Sequence, residues 1–91
     1  MTPSLRQQFD RLGMRLAELD ASLADPQVLG DIQRYRRLSQ EQAEAAHIVE
    51  RYRRYLQREQ DQAAAREMLA DPEMAEMARA EIDEAQAELE R

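Results

Sequence analysis

Apolar residues recur along the first 23 positions at alternating spacings of four and three: Leu5, Phe9, Leu12, Leu16, Leu19 and Leu23. That is a narrow helical seam of the coiled-coil kind, with polar residues on the other faces. Gly13 lies off this seam and costs a helix about 1 kcal/mol against Ala, so it is expected to mark a close backbone approach. A second stripe follows Gly30 and reads Ile32, Tyr35, Leu38, Gln42, Ala45/Ala46, Val49, Tyr52, Leu56, Ala63 and Leu69. No proline or glycine interrupts the chain between Asp31 and Ala70. We therefore expect one long central helix over about 31–70, on the order of 60 Å at 1.5 Å per residue. A break at Ser39, where Ser39 and Gln42 resemble a capping box, is the competing reading. A third stripe, Met74, Met77, Ala78, Ile82, Ala85 and Leu89, closes the chain.

Three prolines punctuate these stripes, each behind a capping residue: Thr2-Pro3, Asp25-Pro26 and Asp71-Pro72. A cap oxygen accepts from an orphan helix N–H, and proline in the first turn loses no needed donor. Helices are expected over 3–23 and 72–91, with a single short turn from Pro26 to Leu29 that Gly30 ends. Both connections are tight, so each outer helix doubles back along the central one. The fold class is all-α: a three-helix antiparallel bundle, coiled-coil-like, with a long central helix. The outer helices are about half as long as the central one, which predicts that the fragment either self-associates or exposes apolar surface around Leu38 to Val49. No Gly, Asn or other terminator precedes Arg91, so the chain reads as one helical domain, 1–91, from the N-terminal part of a longer protein.

Composition sharpens this picture. Of the hydrophobic 43%, fifteen residues are Ala, which leaves a thin core but an adequate helix seam. There is no Cys, hence no disulfide, thiol nucleophile or Cys-based metal site. No apolar run reaches the roughly 18 residues of a membrane span, and no signal peptide opens the chain. A cytoplasmic protein without membrane contact is the expectation. His47 is the only histidine and has no partner in helical register, so no metal ligand set forms. Neither a Gly-rich loop, a nucleophile motif nor a catalytic triad is present. No enzyme activity and no cofactor are expected.

The net charge of −6 is unevenly spread. Residues 1–33 carry net −2, residues 34–66 net +3 and residues 67–91 net −7. Arg34-Tyr35-Arg36-Arg37 recurs as Arg51-Tyr52-Arg53-Arg54. Arginines interleaved with aromatics can hold phosphates and stack bases. The candidate contact residues for a protein or RNA partner are therefore Arg34, Arg36, Arg37, Arg51, Arg53 and Arg54. The plainer reading puts the tyrosines in the seam and leaves the arginines solvated or paired with acids. A pI near 4.8 argues against an autonomous nucleic-acid binder.

The run Glu67-Met68-Leu69-Ala70-Asp71-Pro72-Glu73-Met74-Ala75-Glu76-Met77-Ala78, with Glu81 and Glu84-Ala85 after it, carries a resemblance. So, more weakly, do Pro3-Ser4 and Tyr35-Arg36-Arg37-Leu38-Ser39. Together they resemble the N-terminal domain of bacterial class I peptide chain release factors, of the UAA- and UAG-reading type. The resemblance implies a protein about four times longer, whose codon-reading region and Gly-Gly-Gln loop lie outside these residues. It implies a role in translation termination, near the ribosomal stalk base and linked to the class II release-factor GTPase. The alternative is a stand-alone helical adaptor whose charge asymmetry selects a protein or RNA partner.

Overall fold

The computed structural model describes residues 1–90 as four helices, with no strand among them: α1 (Pro3–Leu23), α2 (Pro26–Leu29), α3 (Ile32–Met68) and α4 (Ala75–Leu89). The all-α class and the long central helix follow the apolar periodicity. α3 runs 37 residues without a break at Ser39. It starts where expected, because the Asp31 carboxylate accepts from Arg34 N–H at 3.2 Å and caps the first turn. Thr2 does the same for α1, accepting from Leu5 N–H at 3.2 Å. Gly30 ends α2 in an ordinary right-handed conformation, φ −79°, so the left-handed freedom of glycine is not used there.

The chain divides into two compact units, Met1–Arg51 and Tyr52–Arg91. In the first, α1 lies against residues 38–49 of α3. Leu16, Leu19, Ala45 and Val49 form the core, with Leu12, Leu38 and Ala46 packed on it. Leu19 is wholly buried. Polar pairs flank this core: Arg15 reaches Glu41 at 2.9 and 3.1 Å, and Gln42 donates to Asp20 at 3.1 Å. Val28 of α2 is also buried, and anchors the connection. Of the apolar residues from Leu38 to Val49, Ala43 and Ile48 are exposed, Leu38 and Ala46 are half-buried, and Ala45 and Val49 are covered by α1.

In the second unit α4 doubles back on α3. Arg54 meets Glu88 and Gln62 meets Gln86, so rising numbers on one helix oppose falling numbers on the other. Besides Tyr52 and Arg58, the buried residues are small: Ala65 of α3, and Ala78 and Ala85 of α4. Small residues let the two backbones approach, which leaves less apolar area to bury than in the first unit.

Several expected seam positions fall elsewhere. Ile32 and Tyr35 are exposed, because α1 ends before it can cover them. Ala65 rather than Ala63 is buried, and Leu69 and Met77 stand out in solvent. α4 begins at Ala75, not at Pro72. Asp71 accepts from Glu73 N–H at 3.0 Å, and Met74 N–H bonds the Asp71 carbonyl three residues back, which makes a turn. The first i to i−4 bond of α4 is Ala78 to Met74. At Asp25 the Leu29 N–H does reach back four residues to the Asp25 carbonyl, so a helical turn forms at once.

Gly13 has open space around it: a Cβ built there meets nothing within 4 Å. It marks no close approach. Gly13→Ala is expected to stabilise the protein by about 0.5–1 kcal/mol, read as a higher urea midpoint at unchanged slope.

Candidate functional site

The two arginine clusters sit on α3, and the structure treats them differently. Arg34, Arg36 and Arg37 are exposed, as are Arg51 and Arg53. None of these five takes part in the ion pairs formed among the described residues. Arg54 does: its Nε lies 2.6 Å and its Nη2 3.1 Å from the two Glu88 carboxylate oxygens. This fork-to-fork bond raises the already high Arg54 pKa, first through the Glu88 hydrogen bond and then through its charge. Arg54 therefore ties α4 to α3.

The tyrosines differ as well. Tyr35 is 38% exposed beside Arg34 and Arg36, whereas Tyr52 is buried. A buried ring cannot stack on a nucleobase. Of the two tyrosines inside the repeated motif, Tyr35 alone is therefore left exposed beside its arginines. The second cluster offers Arg51 and Arg53 as plain cations. The two clusters stand 17 residues apart, about 25 Å along the helix, and about 100° apart round its axis. They form two separate basic spots.

Arg58 is the residue that sequence reasoning missed. It is 7% exposed, the most deeply buried charged side chain among the described residues. Three carboxylates surround it: Asp61 at 3.0 Å, Glu81 at 2.9 Å and, facing Nε, Glu88 at 2.8 Å. The Nε approach to Glu88 is close but lacks hydrogen-bond alignment, and Nη2 has no acceptor. Burial works against the Arg58 charge; Glu81, Asp61 and Glu88 together more than offset it, and the pKa is raised. The one clue in the sequence was its place on the packed face of α3, seven residues before Ala65.

Two carboxyls are held below their ordinary values. Glu41 is lowered from 4.5, chiefly by its hydrogen bond from Arg15. Asp61 is lowered from 3.8, first by its bond from Gln57 and then by Arg58. A folded-state pKa below the unfolded one contributes stability that is complete above the unfolded value and vanishes as pH falls through the folded one. Melting temperature should therefore hold steady above about pH 5 and decline progressively as pH drops below 4. Glu41→Gln should flatten part of that decline. A melting temperature unchanged down to pH 2 would contradict the assignment.

An open cleft of about 640 Å³ lies between α3 and α4 in the second unit, with Tyr55, Glu59, Arg66 and Leu89 on its walls. Its mixed charges form no nucleophile–base pair. No group of three or more His, Asp or Glu side chains is arranged to hold a metal among the described residues. No helix of the described residues is long and apolar enough to cross a membrane.

The chain belongs to the PCRF domain family, whose model matches residues 12–91. Among curated proteins it is similar to peptide chain release factor 1 of Leptothrix cholodnii, 57% identical over 91 residues, covering 100% of this chain and 25% of that protein. It is equally similar to peptide chain release factor 1 of Methylibium petroleiphilum, 57% identical over 91 residues, with the same coverage. The factor of Verminephrobacter eiseniae is 53% identical over 89 residues, 98% of this chain and 25% of that protein. The chain thus spans about a quarter of the length of these relatives. No solved structure matches it. The family resemblance carried by Asp71-Pro72-Glu73-Met74 and the residues around it is borne out.

Proposed function

We propose that this chain is the helical contact module of a class I peptide chain release factor, acting in translation termination. The observation that carries the reading is identity of 57% along all 91 residues to proteins named peptide chain release factor 1. In this reading the module itself is not catalytic. Stop-codon reading and peptidyl-tRNA hydrolysis belong to other parts of the factor. The module's task is to dock, at the stalk-base region of the ribosome and against the class II release-factor GTPase.

Charge supports the docking role. Five exposed arginines on one helix, free of internal pairing, are well placed to meet rRNA phosphates. Arg54 is excluded from this set, since Glu88 holds it. The test is co-sedimentation of the chain with purified ribosomes. Reversing Arg34, Arg36, Arg37, Arg51 and Arg53 to Glu should weaken binding at least about tenfold, and the wild-type affinity should fall steeply with salt. Unchanged binding after all five reversals would remove the basic spots from the contact.

A further inference from the structure

The two units hold their outer helices by different means. α1 buries Leu16 and Leu19, whereas α4 buries only Ala78 and Ala85. Packing strength follows the apolar area removed from water, so α4 is the more weakly packed of the two. Charge takes over part of the task. α4 carries five acids and one arginine. Glu88 lies on Arg54 and Arg58 of α3, and Glu81 on Arg58. The Arg54 side chain is 60% exposed, and exposed pairs contribute little and weaken in salt. Arg58 is buried, yet its Nη2 has no acceptor while α4 is in place. Release of α4 would let water satisfy that donor. Arg54 and Arg58 are four residues apart, hence on one face of α3. With Arg53 they put three arginines and no acid into residues 52–58. The Glu88 carboxylate presents paired oxygens to the Arg54 fork, as a phosphate does.

We propose that α4 is a removable acidic cover over Arg54 and Arg58, and that RNA phosphates compete with it for those two arginines. With the cover on, only the cations outside it meet RNA. Opening α4 adds two more on a single face, so Arg54 joins the contact set from which Glu88 otherwise withholds it. A polyanion that binds the open form alone raises the population of that form. The inference rests on the docking role proposed above, to which it adds a regulation.

The chain has no cysteine, so α4 can be fastened selectively. Gln62 and Gln86 meet across the two helices at 2.8 Å and belong to neither arginine's pairs. Gln62→Cys with Gln86→Cys is joined by a short bismaleimide. The control is the same variant with both thiols capped by N-ethylmaleimide. Each form is titrated with poly(U) RNA over a range of salt. The fastened chain should bind about tenfold more weakly at low salt, with a salt slope smaller by about 1.4, the share of two phosphate contacts on a single strand. In the unmodified chain, amide protection in α4 should be at least about tenfold lower than around Leu19, and poly(U) should lower it further. Equal affinity and slope in the fastened and capped chains overturn the inference. So do α4 amides protected as well as those around Leu19. If both forms co-sediment with ribosomes while poly(U) does not distinguish them, the docking role stands and the cover falls. If neither form binds ribosomes or poly(U), both fall.

Discussion

Arg58→Met should lower the melting temperature by more than about 10 °C, the largest effect of any single surface-conserving change in the second unit. The substitution keeps the length and much of the volume of the side chain. What it removes is the cation that bridges Asp61, Glu81 and Glu88, leaving only Arg54 on Glu88. The two α4 glutamates would then face a methionine beside Asp61, all negative and partly desolvated. Breaking a buried charge pair from one side is strongly destabilising for this reason. Partial exposure tempers the loss, since the Glu81 side chain is 41% exposed and Glu88 29%. Arg58→Lys should fall between the two, because a lysine keeps the charge but loses the planar fork that spans several carboxylates. Replacing Arg58, Glu81 and Glu88 together by apolar residues should recover much of the loss. Thermal melts followed by circular dichroism at 222 nm check all three. An Arg58→Met chain that melts within a few degrees of wild type would show that the cluster is solvated and idle.

Leu19→Ala should cost about 3 kcal/mol, with the urea midpoint lowered and the slope unchanged. Leu19 is the largest wholly buried side chain of the described residues. It packs in the core with Leu16, Ala45 and Val49. Two of these neighbours are small or β-branched and sit on a rigid helix, so the space left behind cannot close easily. Met14→Ala on the exposed side of α1 is the matched control and should change stability little. A Leu19→Ala midpoint equal to the control would mean that α1 is not packed on α3 as described.

Much of this architecture was legible in the chain because local signals and apolar spacing agreed. Thr2-Pro3 and Asp25-Pro26 start helices where they stand. The Leu12–Leu16–Leu19 seam finds Leu38, Ala45 and Val49 across from it. Agreement failed where identical local signals met different tertiary settings. Leu-Ala-Asp-Pro occurs at 23–26 and at 69–72, yet only the first opens a helical turn at once. The difference lies downstream: Val28 is buried and pins its turn, while Met74 is only half-buried and leaves a looser one. Seam assignments at Ile32, Tyr35 and Met77 failed for a related reason. Periodicity identifies a face, but whether a neighbour reaches that face depends on where the neighbour stops.

The candidate site divides in the same way. That the arginines cluster on α3 was plain from the order of residues. That Arg54 is bound to Glu88 and Arg58 sits among three carboxylates could not be read from spacing. Apart from Asp61, three positions on, those contacts span 23 to 34 positions and depend on the pairing of α4 with α3. Likewise, Tyr35 and Tyr52 occupy the same place in the repeated motif, yet only one reaches solvent.

The most direct measurement is stop-codon-dependent peptide release by a chimaera. These 91 residues replace the matching stretch of the Leptothrix cholodnii relative, and the rate is set against that factor intact and against the factor lacking the stretch. If the chain is a release-factor module, the chimaera should release peptide within about threefold of the intact factor and clearly faster than the deletion. A folded chimaera no faster than the deletion would contradict it.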